Sequence, residues 1–136
     1  MDENLYELLK NHSFWHWLPP EGGRYFDACF NMDWERIDHD AHIQSRGRVG
    51  YIISGHARLT TERGTVPAGE GTFFGVFQPG RPESRRVEET ELWAVTDCTV
   101  LWLDADVLTS VCYAACWFHA RLIREVDAWF ENHREG

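Results

Sequence analysis

The middle of this chain alternates apolar and polar residues with a period of two, the pattern of a β-strand with one buried and one solvated face. The clearest case is residues 49–59, where Val49, Tyr51 and Leu59 share one face and polar side chains such as Arg58 lie on the other. We therefore predict a single strand over this range, with one face in the core and one face in water.

Turn signals divide the rest of the central region into short blocks. Glu62-Arg-Gly-Thr and Pro67-Ala-Gly-Glu-Gly each indicate a tight turn, and Gln78-Pro-Gly-Arg-Pro-Glu-Ser indicates a longer loop. Short strands at this spacing favour an all-β roll or sandwich over a βαβ fold.

Helical periodicity replaces the alternation near both ends. Leu5, Leu8 and Leu9 lie at helical spacing, which predicts a short amphipathic helix near the N-terminus. After Asp104, apolar residues advance in steps of three or four, which predicts a long C-terminal helix or two helices with a break near residues 113–117. The members of this stripe are Val107, Val111, Ala115, Phe118, Leu122, Val126 and Trp129.

Length and composition indicate one folded domain. A chain of 136 residues that is 43% hydrophobic and 14% aromatic buries enough apolar area to offset the entropy lost on ordering, which excludes a disordered segment. We expect N-terminal helices over about residues 1–33, a β-roll over about 34–103 and C-terminal helices over about 104–132.

The charge balance limits the partners of the chain. Thirteen basic and 22 acidic residues give a formal net charge of −9, which repels a polyanion, so the chain alone is not expected to bind nucleic acid. No basic N-terminal region with a following apolar run occurs, and no run approaches the roughly 20 apolar residues of a membrane span. Four cysteines (Cys29, Cys98, Cys112 and Cys116) form no Cys-x-x-Cys pair. We expect a cytoplasmic protein with reduced cysteines and no membrane contact.

Three blocks together resemble the cyclic-nucleotide-binding domain of Crp/Fnr-type bacterial transcription regulators. They are Tyr51-Ile-Ile-Ser-Gly55, Phe74-Gly75, and Ala94-Val-Thr-Asp-Cys98 with the following Val100-Leu-Trp-Leu103. The resemblance covers most of the chain and implies an antiparallel β-roll of jelly-roll type, with a short N-terminal helix and a C-terminal helix that forms a homodimer. The dimer contacts would come from the stripe residues Val111, Ala115, Phe118, Leu122, Val126 and Trp129. The family's helix-turn-helix is absent from these residues, so DNA contact is expected only if such a module follows in a longer protein.

The residues that grip the nucleotide in this family are replaced. In the family, a glutamate after Phe-Gly accepts a hydrogen bond from the ribose 2′-hydroxyl, and a later arginine pairs with the cyclic phosphate. Here the corresponding positions are Val76 and Glu88. Valine accepts no hydrogen bond and glutamate repels phosphate, so neither cAMP nor cGMP is an expected ligand.

A basic cluster beside these positions leaves two interpretations open. Arg86 lies two residues before Glu88 and shares its strand face if no bulge intervenes; with Arg81 and Arg85 it could hold another anionic effector. Alternatively the arginines lie in a solvated loop and pair with nearby glutamates, which we favour because surface charge clusters are common and individually weak. The candidate effector pocket, called the cassette below, consists of Phe74, Gly75, Val76, Phe77, Arg85, Arg86 and Glu88.

Two alternatives to an effector-sensing function remain. Cys112, Cys116 and His119 share one helical face and could hold a metal or haem in a redox or gas sensor, although a buried apolar face explains them as well. The domain could also be a structural dimerisation module whose interior is filled by Trp93 or Trp102. His39 and His42 would face opposite sides of a strand, so no metal site is assigned to them. Motifs for nucleophilic, phosphoryl-transfer or dinucleotide chemistry are missing, and no enzymatic activity is expected.

Overall fold

The computed structural model describes residues 7, 9–17, 33–62, 64–75, 89–104 and 117–132. Within them the chain forms two four-stranded antiparallel sheets and a helix. The first sheet contains, in spatial order, β1 (Asp33–Ile37), β8 (Cys98–Asp104), β3 (Arg48–Ser54) and β6 (Phe73–Phe74). The second contains β2 (His42–Gln44), β7 (Glu91–Ala94), β4 (Ala57–Thr61) and β5 (Gly64–Ala68). The helix, α1, spans Trp117–Asn132.

The two sheets, called the β-roll below, enclose an inner core. It combines residues from the facing sides of both sheets: Ile37, Ile52, Ala57, Leu59, Phe74, Leu92, Ala94, Cys98, Val100 and Trp102. Consecutive strands cross repeatedly from one sheet to the other, and this places sequence-distant apolar residues in one cluster. The expected mainly β architecture with a helix on the C-terminal side is confirmed.

An outer core covers the opposite side of the first sheet. Side chains of β3, β6 and β8 meet residues of the N-terminal segment and of α1 there: Leu9, Trp15, Val49, Tyr51, Ile53, Phe73, Leu101, Leu103, Leu122, Val126 and Phe130. Glu7 and Leu9 are helical, and Ser13–Trp15 form a 3-10 turn. The predicted N-terminal helix is therefore seen in part, since Leu5 and Leu8 lie outside the described residues.

The prediction of one strand over residues 49–59 is wrong. The chain turns at Gly55 and His56, and β3 and β4 lie in different sheets. Gly55 has a φ of 99°, and a Cβ there would overlap the carbonyl oxygen of Asp97. The alternation of apolar and polar residues continues across this corner, so periodicity alone does not reveal it.

The prediction of one wet face is also wrong for β3. Every residue from Val49 to Ile53 is buried, with Tyr51 in the outer core and Ile52 in the inner core. The face that a two-layer roll would leave in water is covered by the N-terminal segment and α1.

The two predicted turns have different outcomes. The hairpin at Glu62-Arg-Gly-Thr is confirmed, because β4 pairs with β5 and Thr61 lies opposite Gly64. The second turn begins at Gly69, later than predicted, because β5 continues through Pro67. A proline is tolerated there because β5 lies at the edge of its sheet.

The long dimerisation helix predicted from the apolar stripe is not supported in that form. The described helix has 16 residues, and Leu122, Val126 and Phe130 are buried in the chain's own outer core. These residues therefore need no partner subunit to leave water. Val111 and Ala115, and the side chain of Phe118, lie outside the description. No helix among the described residues has the length and apolar character needed to cross a membrane.

Candidate functional site

The cassette begins at the end of β6. Phe74 is only 2% exposed, and its ring contacts Trp102 edge to face with ring centroids 5.3 Å apart. Gly75 is buried and has a φ of 77°, a left-handed conformation that glycine adopts without strain. The remaining cassette candidates lie outside the described residues: Val76, Phe77, Arg85, Arg86 and Glu88. The structure therefore places the start of the cassette against the inner core and describes no phosphate grip.

Glu89, directly after the cassette, binds the turn between β2 and β3. Its carboxylate accepts hydrogen bonds from the backbone N–H groups of Arg46 and Gly47, at 3.0 and 3.1 Å. Both turn residues have positive φ, a backbone conformation that is sterically unfavourable for Arg46 and unstrained for Gly47. Next to it, the backbone of Thr90 exchanges buried hydrogen bonds with Ser45. Glu89 and Thr90 thus fix the end of the cassette to the β-roll.

Trp102 fills the inner core near the cassette. It is 2% exposed, and its indole N–H donates a hydrogen bond to Glu35 Oε1 over 2.7 Å. The guanidinium carbon of Arg48 lies 4.0 Å from the centre of the indole ring, a cation–π distance. Phe74 packs on the same indole. Of the two tryptophans predicted to fill the interior, Trp102 does so.

Trp93 lies on the outer face of the second sheet instead. It is partly exposed, and its ring stacks on His42 with centroids 5.9 Å apart and an interplanar angle of 11°. His42 also contacts Glu91 at 3.2 Å, while His39 lies in the turn before β2. The two histidines thus have different surroundings, and neither the structure nor the sequence assigns them to one metal site.

Ser54-Gly55 and Thr96-Asp-Cys98, which belong to the blocks that carry the family resemblance, meet at one corner of the β-roll. The Thr96 hydroxyl accepts a hydrogen bond from the backbone N–H of His56, and Val95 N–H donates to the His56 carbonyl. Cys98 is buried, and burial together with the negative charge of Asp97 raises the pKa of its thiol. Cys98 occupies a core position, as expected. These blocks form a structural corner and offer no reactive thiolate.

The proposed redox or haem site has no described geometry. Cys112, Cys116 and the side chain of His119 lie outside the described residues, so the assignment stays a sequence-based prediction. Among the residues that the structure does describe, no three His, Cys, Asp or Glu side chains are arranged to hold a metal ion.

An open cleft of about 650 Å³ lies on the other side of the first sheet, between the N-terminal segment, the turn before β6, and α1. We call it the junction cleft; its lining includes His12, Phe14, Tyr51, Glu70, Glu125 and Trp129. The sequence did not reveal it, because its walls come from four distant segments. The one local signal was Glu70, a carboxylate in a turn between two glycines.

A hydrogen bond and a longer polar contact link three side chains in one wall of the junction cleft. The hydroxyl of buried Tyr51 lies 2.7 Å from His12 Nδ1, and His12 Nε2 lies 3.5 Å from Glu70 Oε1. Burial raises the pKa of Tyr51 well above its ordinary value, and the negative charge of Glu70 adds to this shift. Tyr51 is therefore a neutral phenol in this wall at physiological pH.

Comparison with known proteins identifies the architecture. No family model matches the sequence, and no curated protein matches it either. Among solved structures, a candidate cyclic nucleotide-binding protein from Geobacter metallireducens superimposes with a TM-score of 0.62 at 12% identity, over 94% of this chain and 96% of that one. The chain has the cyclic-nucleotide-binding fold.

Two transcription regulators share this fold. The sensor domain of DNR from Pseudomonas aeruginosa gives a TM-score of 0.52 at 15% identity, over 95% of this chain and 90% of that one. The catabolite activator protein of Thermus thermophilus gives 0.54 at 20% identity, over 88% of this chain and 56% of that one. The chain thus matches about half the length of that activator and nearly all of the DNR sensor domain. The resemblance stated from the sequence blocks is confirmed at the level of fold.

Proposed function

We propose that this chain is a non-enzymatic ligand-sensing domain whose effector binds at the cassette and is not a cyclic nucleotide. The fold supports sensing, since its neighbours include the sensor domain of a transcriptional regulator. The substitution of both gripping residues by Val76 and Glu88 argues against cAMP and cGMP. The main support for the proposal is the position of β6, because this strand leads into the cassette and its two residues lie in the two different cores.

β6 would transmit the presence of an effector. Phe74 packs on Trp102 in the inner core, while the adjacent Phe73 packs on the opposite side of the sheet against Trp129 and Phe130 of α1, at centroid distances of 5.2 and 5.9 Å. Successive strand residues point to opposite faces. A ligand that shifts the chain after Gly75 would therefore move groups in the inner core and against α1 together.

The similar solved structures suggest a biological setting for the domain. We propose that the domain works in the cytoplasm of a bacterium as the homodimeric sensory part of a transcription regulator, and that any DNA contact comes from a module outside these residues. The net charge of −9 is consistent with a domain that does not itself bind DNA.

A thermal-shift screen tests the sensing function. Nucleotides, organic acids and aromatic compounds are added to the purified protein, and a ligand present at about 100 times its Kd is expected to add roughly 2.7 kcal/mol to the free energy of unfolding. Arg86→Ala should abolish the shift caused by an anionic effector. Arg58→Ala is the control because it removes the same charge from an exposed position in β4. A screen without any hit contradicts the proposal.

Restoring the grip tests the interpretation of the cassette. The double variant V76E/E88R should bind cAMP with a Kd at least tenfold lower than the unmodified protein, because it restores both contacts of the family, whereas V76E alone should change the Kd little. Isothermal titration measures both variants. Tight cAMP binding by the unmodified protein would contradict the exclusion of cyclic nucleotides.

A purely structural role is the second candidate, and one observation favours it. Trp102 occupies the inner core, with its indole N–H bound by Glu35 and its ring contacted by Arg48 and Phe74. A β-roll whose inner core is filled by Trp102 has less space for an effector. The thermal-shift screen separates the two candidates, because a structural module gives no ligand-dependent shift.

A further inference from the structure

The charge of the junction cleft selects the kind of ligand that could bind there. Among the described residues, its lining contains the carboxylates of Glu70 and Glu125, the imidazoles of His12 and His16, and neither lysine nor arginine. Arg121 pairs with Glu125 at 2.8 Å, so that carboxylate is partly compensated, while the Glu70 side chain is 66% exposed and faces its partner His12 at the longer distance of 3.5 Å. An anion entering the cleft meets a negative wall. The cleft therefore differs in chemistry from a site for a nucleotide phosphate.

Aromatic rings form the other walls. Phe14 and Trp129 both line the cleft, and both pack against Phe73, at centroid distances of 4.8 and 5.2 Å. This shared support restricts their movement. Partly exposed aromatic rings beside carboxylates are the surroundings that recognise alkylammonium groups, because the ring faces and the carboxylates both attract a positive charge.

A metal ion is a poorer fit than an organic cation. In the described part of the chain, no three potential metal-ligating side chains come close enough to hold a metal. The volume of about 650 Å³ lies within the range of small-molecule pockets and far exceeds what a bare ion needs.

We propose that the junction cleft binds a small organic cation, an amine or quaternary ammonium compound, with Glu70 as the charge partner and Trp129 and Phe14 as the aromatic walls. This site lies on the opposite side of the first sheet from the inner core, and the proposal does not depend on the effector function of the cassette. Because Phe73 supports both aromatic walls and adjoins Phe74, occupancy of the cleft would act on the strand that leads into the cassette.

Choline is the probe that tests the proposal, and 3,3-dimethyl-1-butanol is its neutral counterpart of nearly the same shape. The titration follows the indole N–H resonance of Trp129 by NMR, assigned by its absence in Trp129→Phe. Choline should shift this resonance saturably, and the neutral compound should bind at least fivefold more weakly. Glu70→Gln should raise the Kd for choline about fivefold, the effect of losing one solvent-screened charge contact.

Glu62→Gln is the matched control, because Glu62 is an exposed glutamate in the distant β4–β5 turn and its loss changes the net charge equally. It should leave the Kd for choline unchanged. The proposal is overturned if choline causes no saturable shift up to about 50 mM, or if the neutral compound binds equally well. It is also overturned if Glu70→Gln and Glu62→Gln weaken binding by the same factor. Glu125→Gln provides a second test should Glu70→Gln fail to fold.

Discussion

Gly50 shows how one residue without a side chain allows the two sheets to close. It lies opposite both Phe74 and Trp102 in the first sheet, and a Cβ at this position would overlap the ring of Phe74. Gly50→Ala should lower the free energy of unfolding by about 1–3 kcal/mol, the usual cost of overpacking. Urea denaturation measures this change.

Two variants check the cause of that loss. Gly69→Ala is the control, because its Cβ would come no closer than 3.4 Å to any atom beyond its chain neighbours and should cost less. Combining Gly50→Ala with Phe74→Leu should give a smaller loss than the sum of the two single changes, because the smaller side chain leaves room for the methyl group. If the losses in the free energy of unfolding are strictly additive, the Phe74 ring does not limit the size of the side chain at position 50.

Tyr51 provides a residue-scale prediction for high pH. Its pKa is raised in the folded protein, chiefly by burial, so folding favours the neutral phenol. This contribution is fully present below the pKa of the unfolded chain, near 10, and is lost as the pH rises further toward the folded value. We expect stability to fall above about pH 10 more steeply in the unmodified protein than in Tyr51→Phe, as measured by urea denaturation between pH 9 and 11. Equal slopes would contradict the raised pKa.

At the scale of elements, α1 is a component of the domain core. Leu122 and Val126 are fully buried one helical turn apart, against the outer face of the first sheet. Leu122→Ala should lower the free energy of unfolding by about 2–5 kcal/mol, the usual cost of truncating a buried leucine. Arg124→Ala, on the exposed side of the same helix, should change it by less than about 0.5 kcal/mol. A concentration-dependent midpoint in the unmodified protein that Leu122→Ala abolishes would instead place this face at a subunit interface.

The elements also show where sequence reasoning worked and where it stopped. The β4–β5 hairpin follows from local turn chemistry, because Glu62-Arg-Gly-Thr supplies the turn within a few residues of both strands. The corner at Gly55 does not follow from local chemistry, because it depends on the close approach of Asp97, which is remote in sequence. The stripe on α1 correctly indicated a helix. Periodicity shows that one face of a helix is buried, but it does not identify the residues that bury this face.

At the scale of the whole molecule, a homodimer remains a proposal. Of the predicted contact residues, Leu122 and Val126 are buried in the chain's own outer core, while Val111, Ala115 and the side chain of Phe118 lie outside the described residues. Sedimentation equilibrium at micromolar concentration should then give twice the monomer mass of 15.9 kDa. A monomer at these concentrations contradicts the dimer.

The sequence alone determined the blocks of the fold, because alternation, glycine turns and helical spacing are local consequences of backbone geometry and side-chain burial. It also predicts that Val76 and Glu88 stand where proteins of the cyclic-nucleotide-binding family have their gripping residues, and this correspondence stays a prediction because both residues lie outside the described part of the chain. The tertiary structure decided which faces are covered. It buried both sides of β3 and placed α1 on the chain's own core. It also brought His12, Tyr51, Glu70 and Trp129 to one cleft. These outcomes depend on contacts between residues far apart in sequence, which no local pattern encodes.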